Sequence, residues 1–214
     1  DIASIEELVH FTMLSHPNPK NVLLLSGGAG GVIKEILKYP NPMKKLTYTE
    51  LDPQLIKLIQ DFPTDLTKNE LADRRLEIKH IDARRFLYTS KSSTTGTKFD
   101  VVILNLPMPS TLQLNRFYSQ EFFQSVKSIL SEDVIFSFSL PGSLTYLNQP
   151  LRNLNGSVLN TLEDIFSVQV IPGDFNLYIS SNKKISLSPE SFLKQLAQKN
   201  IQTKLLNKFH LEYR

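Results

Sequence analysis

The stretch Asn21–Leu37, NVLLLSGGAGGVIKEIL, places four of the chain's eight glycines within five residues, at Gly27, Gly28, Gly30 and Gly31, in a protein of 214 residues. They stand where an apolar run meets a segment with helical spacing. Glycine there lets the backbone come close to a ligand, and the unpaired N–H groups at a helix start attract polar or negative groups. The pattern is not the dinucleotide G-x-G-x-x-G, because Ile33 stands where the third glycine would fall. Nor does a Gly-Lys-Ser/Thr follow, as a P-loop requires. The bland alternative is a tight strand-to-helix turn with no ligand.

Working outward, apolar runs recur at Asn21–Leu25, Leu46–Thr49, Leu76–His80, Val101–Leu104 and Val134–Leu140, separated by helical spacing at Val32–Lys38, Pro53–Phe62, Tyr118–Ser131 and Leu151–Asp164. This alternation predicts an α/β domain with a mostly parallel sheet wrapped by helices. Val168–Ile171 and Leu177–Ser181 flank the turn signal Pro172-Gly173-Asp174 and read as an antiparallel addition at the sheet edge. Pro189–Lys199 reads as a last helix capped by Ser188. Ser90–Thr97 reads as a surface loop, and His16-Pro17-Asn18-Pro19 as a rigid turn into the first strand.

Two acids follow the glycine loop at strand ends. Glu50, in Thr49-Glu50-Leu51-Asp52-Pro53, lies 20 residues past Gly30, where a ribose-binding acid belongs in a doubly wound sheet. Asp52 before Pro53 is better read as a helix N-cap. Asp82 ends the third strand, where it either accepts from an exocyclic amino group such as that of adenine or caps the segment Ala83–Tyr88. A glycine loop and two acids on successive strand ends describe an adenosine pocket at the carboxyl edge, for an adenosyl compound rather than a dinucleotide.

Composition narrows the classes. The 24 basic and 21 acidic residues are scattered without the basic stripe that phosphate-backbone binding needs, so nucleic acid is not expected as a partner. The absence of cysteine excludes disulfides and thiolate metal sites, and a cytoplasmic location is expected. His10, His16, His80 and His210 lack metal-ligand spacing and read as capping, turn or surface residues. Arg84-Arg85 and Lys183-Lys184 read most simply as solvated faces, or, beside a membrane, as contacts to acidic head groups. A start at Asp1 without methionine and an end at Arg214 lead us to expect a fragment of a longer protein.

Five segments in this order and spacing, HPNPKNVLLLSGGAGG, TELDP, HIDARRFL, FDVVILNLP and RFYSQEFF, resemble the spermine/spermidine synthase (aminopropyltransferase) family. The resemblance runs from about Glu6 to Leu140 and more loosely to the end. NLPMPSTLQLNRFYSQEFF looks most like the bacterial branch fused to a membrane-spanning, transporter-like region. The resemblance implies one Rossmann-like domain over residues 1–214, with the S-adenosylmethionine-dependent methyltransferase fold and without the family's N-terminal β-hairpin domain. It also implies a homodimer and decarboxylated S-adenosylmethionine as co-substrate, with no tightly bound cofactor. Gly27, Gly28 and Gly30 would lie against the donor, Glu50 would take the ribose, and Asp82 with Ala83 would face the adenine.

The departures from the family pattern fall on the amine side. Ala29 replaces an aspartate that holds the donor's amino group, and Ser26 replaces the first glycine of the loop. Asn105 occupies the place of the aspartate that orients and deprotonates the attacking amine, and Met108 that of a second aspartate. Ser4 and Ile5 correspond by register to a tyrosine and a glutamine that contact the polyamine. Asn105 also reads as a strand-end turn residue. Tyr118 could project toward the pocket, but Phe117, Phe122 and Phe123 around it read first as a helix face in the core. The expected function is therefore an S-adenosyl-nucleoside domain transferring an aminopropyl or other alkyl group to an acceptor other than ordinary putrescine. Two alternatives stay open: a non-catalytic nucleoside sensor of a membrane protein, and a small-molecule methyltransferase.

Overall fold

The structure is a computed structural model that describes residues 2–40, 42–65, 67–91, 98–185 and 188–213. Five strands run parallel: β1 (Asn21–Leu25), β2 (Lys45–Thr49), β3 (Leu76–Lys79), β4 (Phe99–Leu104) and β5 (Leu130–Pro141). Strands β6 (Ser167–Ile171) and β7 (Phe175–Ser181) join antiparallel, in the sheet order β3-β2-β1-β4-β5-β7-β6. The Pro172-Gly173-Asp174 turn links these last two, as its composition predicts.

Period-two alternation builds the two cores. Val22, Leu24, Val101 and Ile103 face one side with Tyr48; Leu23, Leu25, Val102 and Leu104 face the other. On the first side lie α1 (Ile2–Leu14), α2 (Val32–Leu37), α3 (Pro53–Asp61) and, after the last strand, a helix at Pro189–Gln198. On the second side α4 (Ala83–Lys91) packs with helices at Gln120–Ser128 and Gln149–Glu163. In chain order these last three helices are α8, α6 and α7, with short helices α5 (Leu112–Asn115) and α9 (Lys208–Tyr213) completing the set. Phe122, Phe123, Phe136 and Phe138 form an aromatic cluster on the second side, in which Phe138 stacks on Tyr178 at 4.9 Å.

The capping expectations hold in detail. Asp52 accepts from the Gln54 N–H with Pro53 at the first helical position, and Ser188 accepts from the Ser191 N–H. Several boundaries differ from the sequence reading. The helix expected over Tyr118–Ser131 starts only at Gln120, because Ser119 caps it, and stops at Ser128. Leu130 already pairs with Phe99, so Ser131 is strand. Ser90 belongs to α4 rather than to a loop, and residues 92–97 of that expected loop lie outside the described residues.

Helix α1 has no counterpart in the sequence reading, because it is not amphipathic in the usual sense: Glu6, Glu7 and His10 are buried beside Val9 and Met13. Each has tertiary partners. Glu6 accepts from the backbone N–H groups of Lys204, Leu205 and Leu206, and His210 bonds Glu7. His10, expected at a cap or on the surface, is fully buried between the Tyr39 hydroxyl and the Glu35 carboxylate, each 3.0 Å away. His16 does serve the turn, accepting from the Asn18 N–H at 3.2 Å.

Candidate functional site

In this strand order the direction in which successive strands are added reverses between β1 and β4, and open α/β sheets bind ligands above the carboxyl ends at such a point. The glycine loop leaves β1 there. Ser26 and Gly27 both take left-handed φ, 62° and 63°, which turns the chain sharply before α2. A Cβ on Gly27 would stand 2.2 Å from the Asn105 carbonyl oxygen. A Cβ on Gly28 would stand 2.8 Å from the Tyr48 ring. These two glycines are therefore required by the protein's own packing, while Gly30 has open space at its Cβ position.

Asn105 directly follows β4, with its backbone N–H on the Leu25 carbonyl, and its side-chain Nδ2 donates to the Gly27 carbonyl at 2.8 Å. The carbonyl can only accept, which fixes the amide's orientation. Asn105 thus clasps the glycine loop to the neighbouring strand. Its Oδ1 can accept a hydrogen bond, but an amide cannot take up a proton at neutral pH.

Glu50 continues β2 and is buried at 9% exposure. Its Oε2 accepts from the Tyr48 hydroxyl at 2.6 Å and its Oε1 from the Asp52 N–H at 3.2 Å. Burial, and then the bond to Glu50, push the Tyr48 phenol far above its ordinary range, so it stays a donor. Sequence reading missed Tyr48, although a signal was present: residues two apart on a strand share a face. Asp82 fills the capping role that was one of its two readings, its Oδ1 accepting from the Arg84 and Arg85 N–H groups. Its Oδ2 pairs with Arg116 Nη2 at 2.6 Å, a partner 34 residues away that nothing local announces.

Ala83, expected at the ligand, is 2% exposed with its methyl in the second core, which leaves only its backbone to offer. Tyr118 is core, as its aromatic neighbours in the sequence predict. It is 5% exposed and its hydroxyl donates to the Leu106 and Pro107 carbonyls, fixing the loop after β4. Met108 in that loop is exposed. The structure brings together the hydrogen-bonded pairs Asn105–Gly27 and Tyr48–Glu50, with Gly28 against the Tyr48 ring. Asp82, expected to end the third strand, instead lies three residues past it, because β3 stops at Lys79 and Asp82 caps the start of α4. Among the described residues, no three His, Cys, Asp or Glu side chains form a group that could hold a metal ion. No helix among them is long and apolar enough to cross a membrane.

A model of the spermine/spermidine synthase domain matches residues 2–172. A polyamine aminopropyltransferase of Pyrobaculum aerophilum is 32% identical over 154 residues, covering 69% of this chain and 52% of that protein. The chain thus spans about half the length of that curated relative. Among solved structures, a spermidine synthase in complex with the transition-state analogue AdoDATO superimposes with a TM-score of 0.77 at 24% identity, over all of this chain and 71% of that one. Human methyltransferase-like protein 13 in complex with SAH gives 0.68 at 17% identity, over 95% of this chain and 91% of that one. These likenesses establish the Rossmann-like methyltransferase fold with its antiparallel edge. The chain belongs to the spermine/spermidine synthase family.

Proposed function

We propose that the domain binds an S-adenosyl-type nucleoside above β1, β2 and β3: decarboxylated S-adenosylmethionine, S-adenosylmethionine or methylthioadenosine. The ribose lies on Glu50, the purine toward Asp82 and the donor chain along the Gly27–Gly30 backbone. The observation that carries this reading is Glu50, a buried carboxylate oriented by Tyr48 and the Asp52 N–H beside an internally clasped glycine loop. The family membership and the AdoDATO complex of the similar synthase support the ligand class.

We further propose alkyl, notably aminopropyl, transfer to an acceptor other than ordinary putrescine. In that reaction an amine lone pair attacks the carbon beside the sulfonium, the C–S electron pair returns to sulfur, and methylthioadenosine leaves. An alkylamine of pKa about 10.4 is mostly protonated at neutral pH and must first lose a proton. Asn105 accepts a hydrogen bond but cannot take that proton, and lost general-base help costs ~10²–10⁴ in rate. The same feature favours a second reading, a nucleoside-sensing domain without transfer activity. Residues 1–214 as one domain, a dimer, a cytosolic setting and a tether to a membrane region belong to the same proposal.

A thermal-shift panel with the three nucleosides and polyamines tests the binding step. A ligand at ~100 times its dissociation constant adds about 2.7 kcal/mol of stability. No shift with any adenosyl compound would refute the site. A shift without aminopropyl transfer to any amine selects the sensing role.

A further inference from the structure

Beside Asp82, on the side of the sheet that carries α4 and α6, lies an open hollow of about 280 Å3 lined by Arg84, Arg85, Tyr88, Arg116, Phe122 and Ser125. Helical geometry explains the gathering. Ala83 and Leu87 turn into the core at four-residue spacing, which leaves Arg84, Arg85 and Tyr88 together on the outer flank of α4. Phe122 and Ser125, three apart on α6, form the opposite wall.

The third guanidinium is held in place beforehand. Arg116 gives one N–H to Asp82 at 2.6 Å and lies over the Phe117 ring at 4.9 Å, which lowers the entropy lost when its remaining donors engage a ligand. Arg84 and Arg85 are exposed and make no ion pair within 4.0 Å among the described residues. The acids facing the cluster are Asp82, already shared between the α4 cap and Arg116, and Glu121, which lies within electrostatic reach of Arg84. The hollow is smaller than the ~300–1,000 Å³ of drug-sized ligand sites. Its donors are guanidinium forks, whose planar geometry matches the oxygens of a phosphate.

We propose that this hollow is a binding site for a phosphate monoester group, carried by a free small molecule or by a lipid headgroup, with Arg84 and Arg85 as its principal charges and Arg116 as a preset third. The proposal does not depend on nucleoside binding at the carboxyl edge.

The test titrates the whole protein with inorganic phosphate by ³¹P NMR at matched ionic strength, alongside cosedimentation with phosphatidylcholine vesicles with and without phosphatidic acid. Saturable phosphate binding that weakens about tenfold in the Arg84→Gln/Arg85→Gln double variant, and is unchanged in Arg152→Gln, supports a free ligand. Arg152 is an exposed arginine over Tyr146, on another part of the surface. Binding only to vesicles with phosphatidic acid, with the same dependence on Arg84 and Arg85, assigns the headgroup. Failure of both arms, or equal weakening by Arg152→Gln, overturns the proposal. The exposed positions keep the fold intact, which unchanged melting of the double variant verifies.

Discussion

Glu70 offers the sharpest quantitative test of the structure. It sits in a single helical turn at Glu70–Ala72, 4% exposed, and neither carboxylate oxygen has a hydrogen-bond partner. The Lys34 ammonium is spent on the Asp65 carbonyl at 2.5 Å. The Lys34 backbone N–H, outside hydrogen-bonding geometry, and the charge of its ammonium both oppose the shift without cancelling it. Burial therefore dominates and raises the Glu70 pKa from the ordinary 4.5 to about 7. At about 1.36 kcal/mol per tenfold change in proton affinity, the folded state prefers the protonated acid by about 3 kcal/mol.

The sign follows from linkage. The folded pKa is raised, so the contribution is fully present below the unfolded pKa of 4.5 and is lost as pH rises to about 7. Glu70→Gln is neutral throughout, so it should match the wild type near pH 4 and exceed it by about 3 kcal/mol near pH 8. In a chain of this size that is roughly 5–10 °C in melting temperature. Urea denaturation of both proteins across this range measures the difference directly. A difference independent of pH, or a Gln variant less stable at the alkaline end, would refute an unpartnered, protonated Glu70.

Other expectations follow from the clasps and latches. Asn105→Asp should destabilise the domain by about 1–3 kcal/mol at neutral pH, because a carboxylate would face the Gly27 carbonyl without a proton to donate; denaturation with recovery under acid conditions checks this. Gly27→Ala should cost at least about 2 kcal/mol and abolish the adenosyl-dependent thermal shift, since it meets both positive φ and a backbone contact. Glu50→Gln should weaken adenosyl binding about tenfold, and Tyr48→Phe less, by calorimetry; equal affinity in all three proteins would remove Glu50 from the site. Glu6→Ala should release the segment near Lys204–Leu206, seen as rapid proteolysis there and a loss of about 3 kcal/mol.

The sequence by itself determined the alternation of strands and helices, the glycine loop, the strand-end position of Glu50, and the caps at Asp52, Asp82 and Ser188. Each rests on near neighbours: period-two or helical spacing, or a capping side chain two or three residues from its N–H. Tertiary structure alone decided that Asn105 grips Gly27 across 78 positions and that Arg116 reaches Asp82. It also decided that Glu6 and His10 are interior groups and that Glu70 is buried without a partner. Such pairs form only once the strand order β2-β1-β4 and the packing of α1 and α2 bring distant segments together. The energies that fix them belong to contacts that local propensity cannot register.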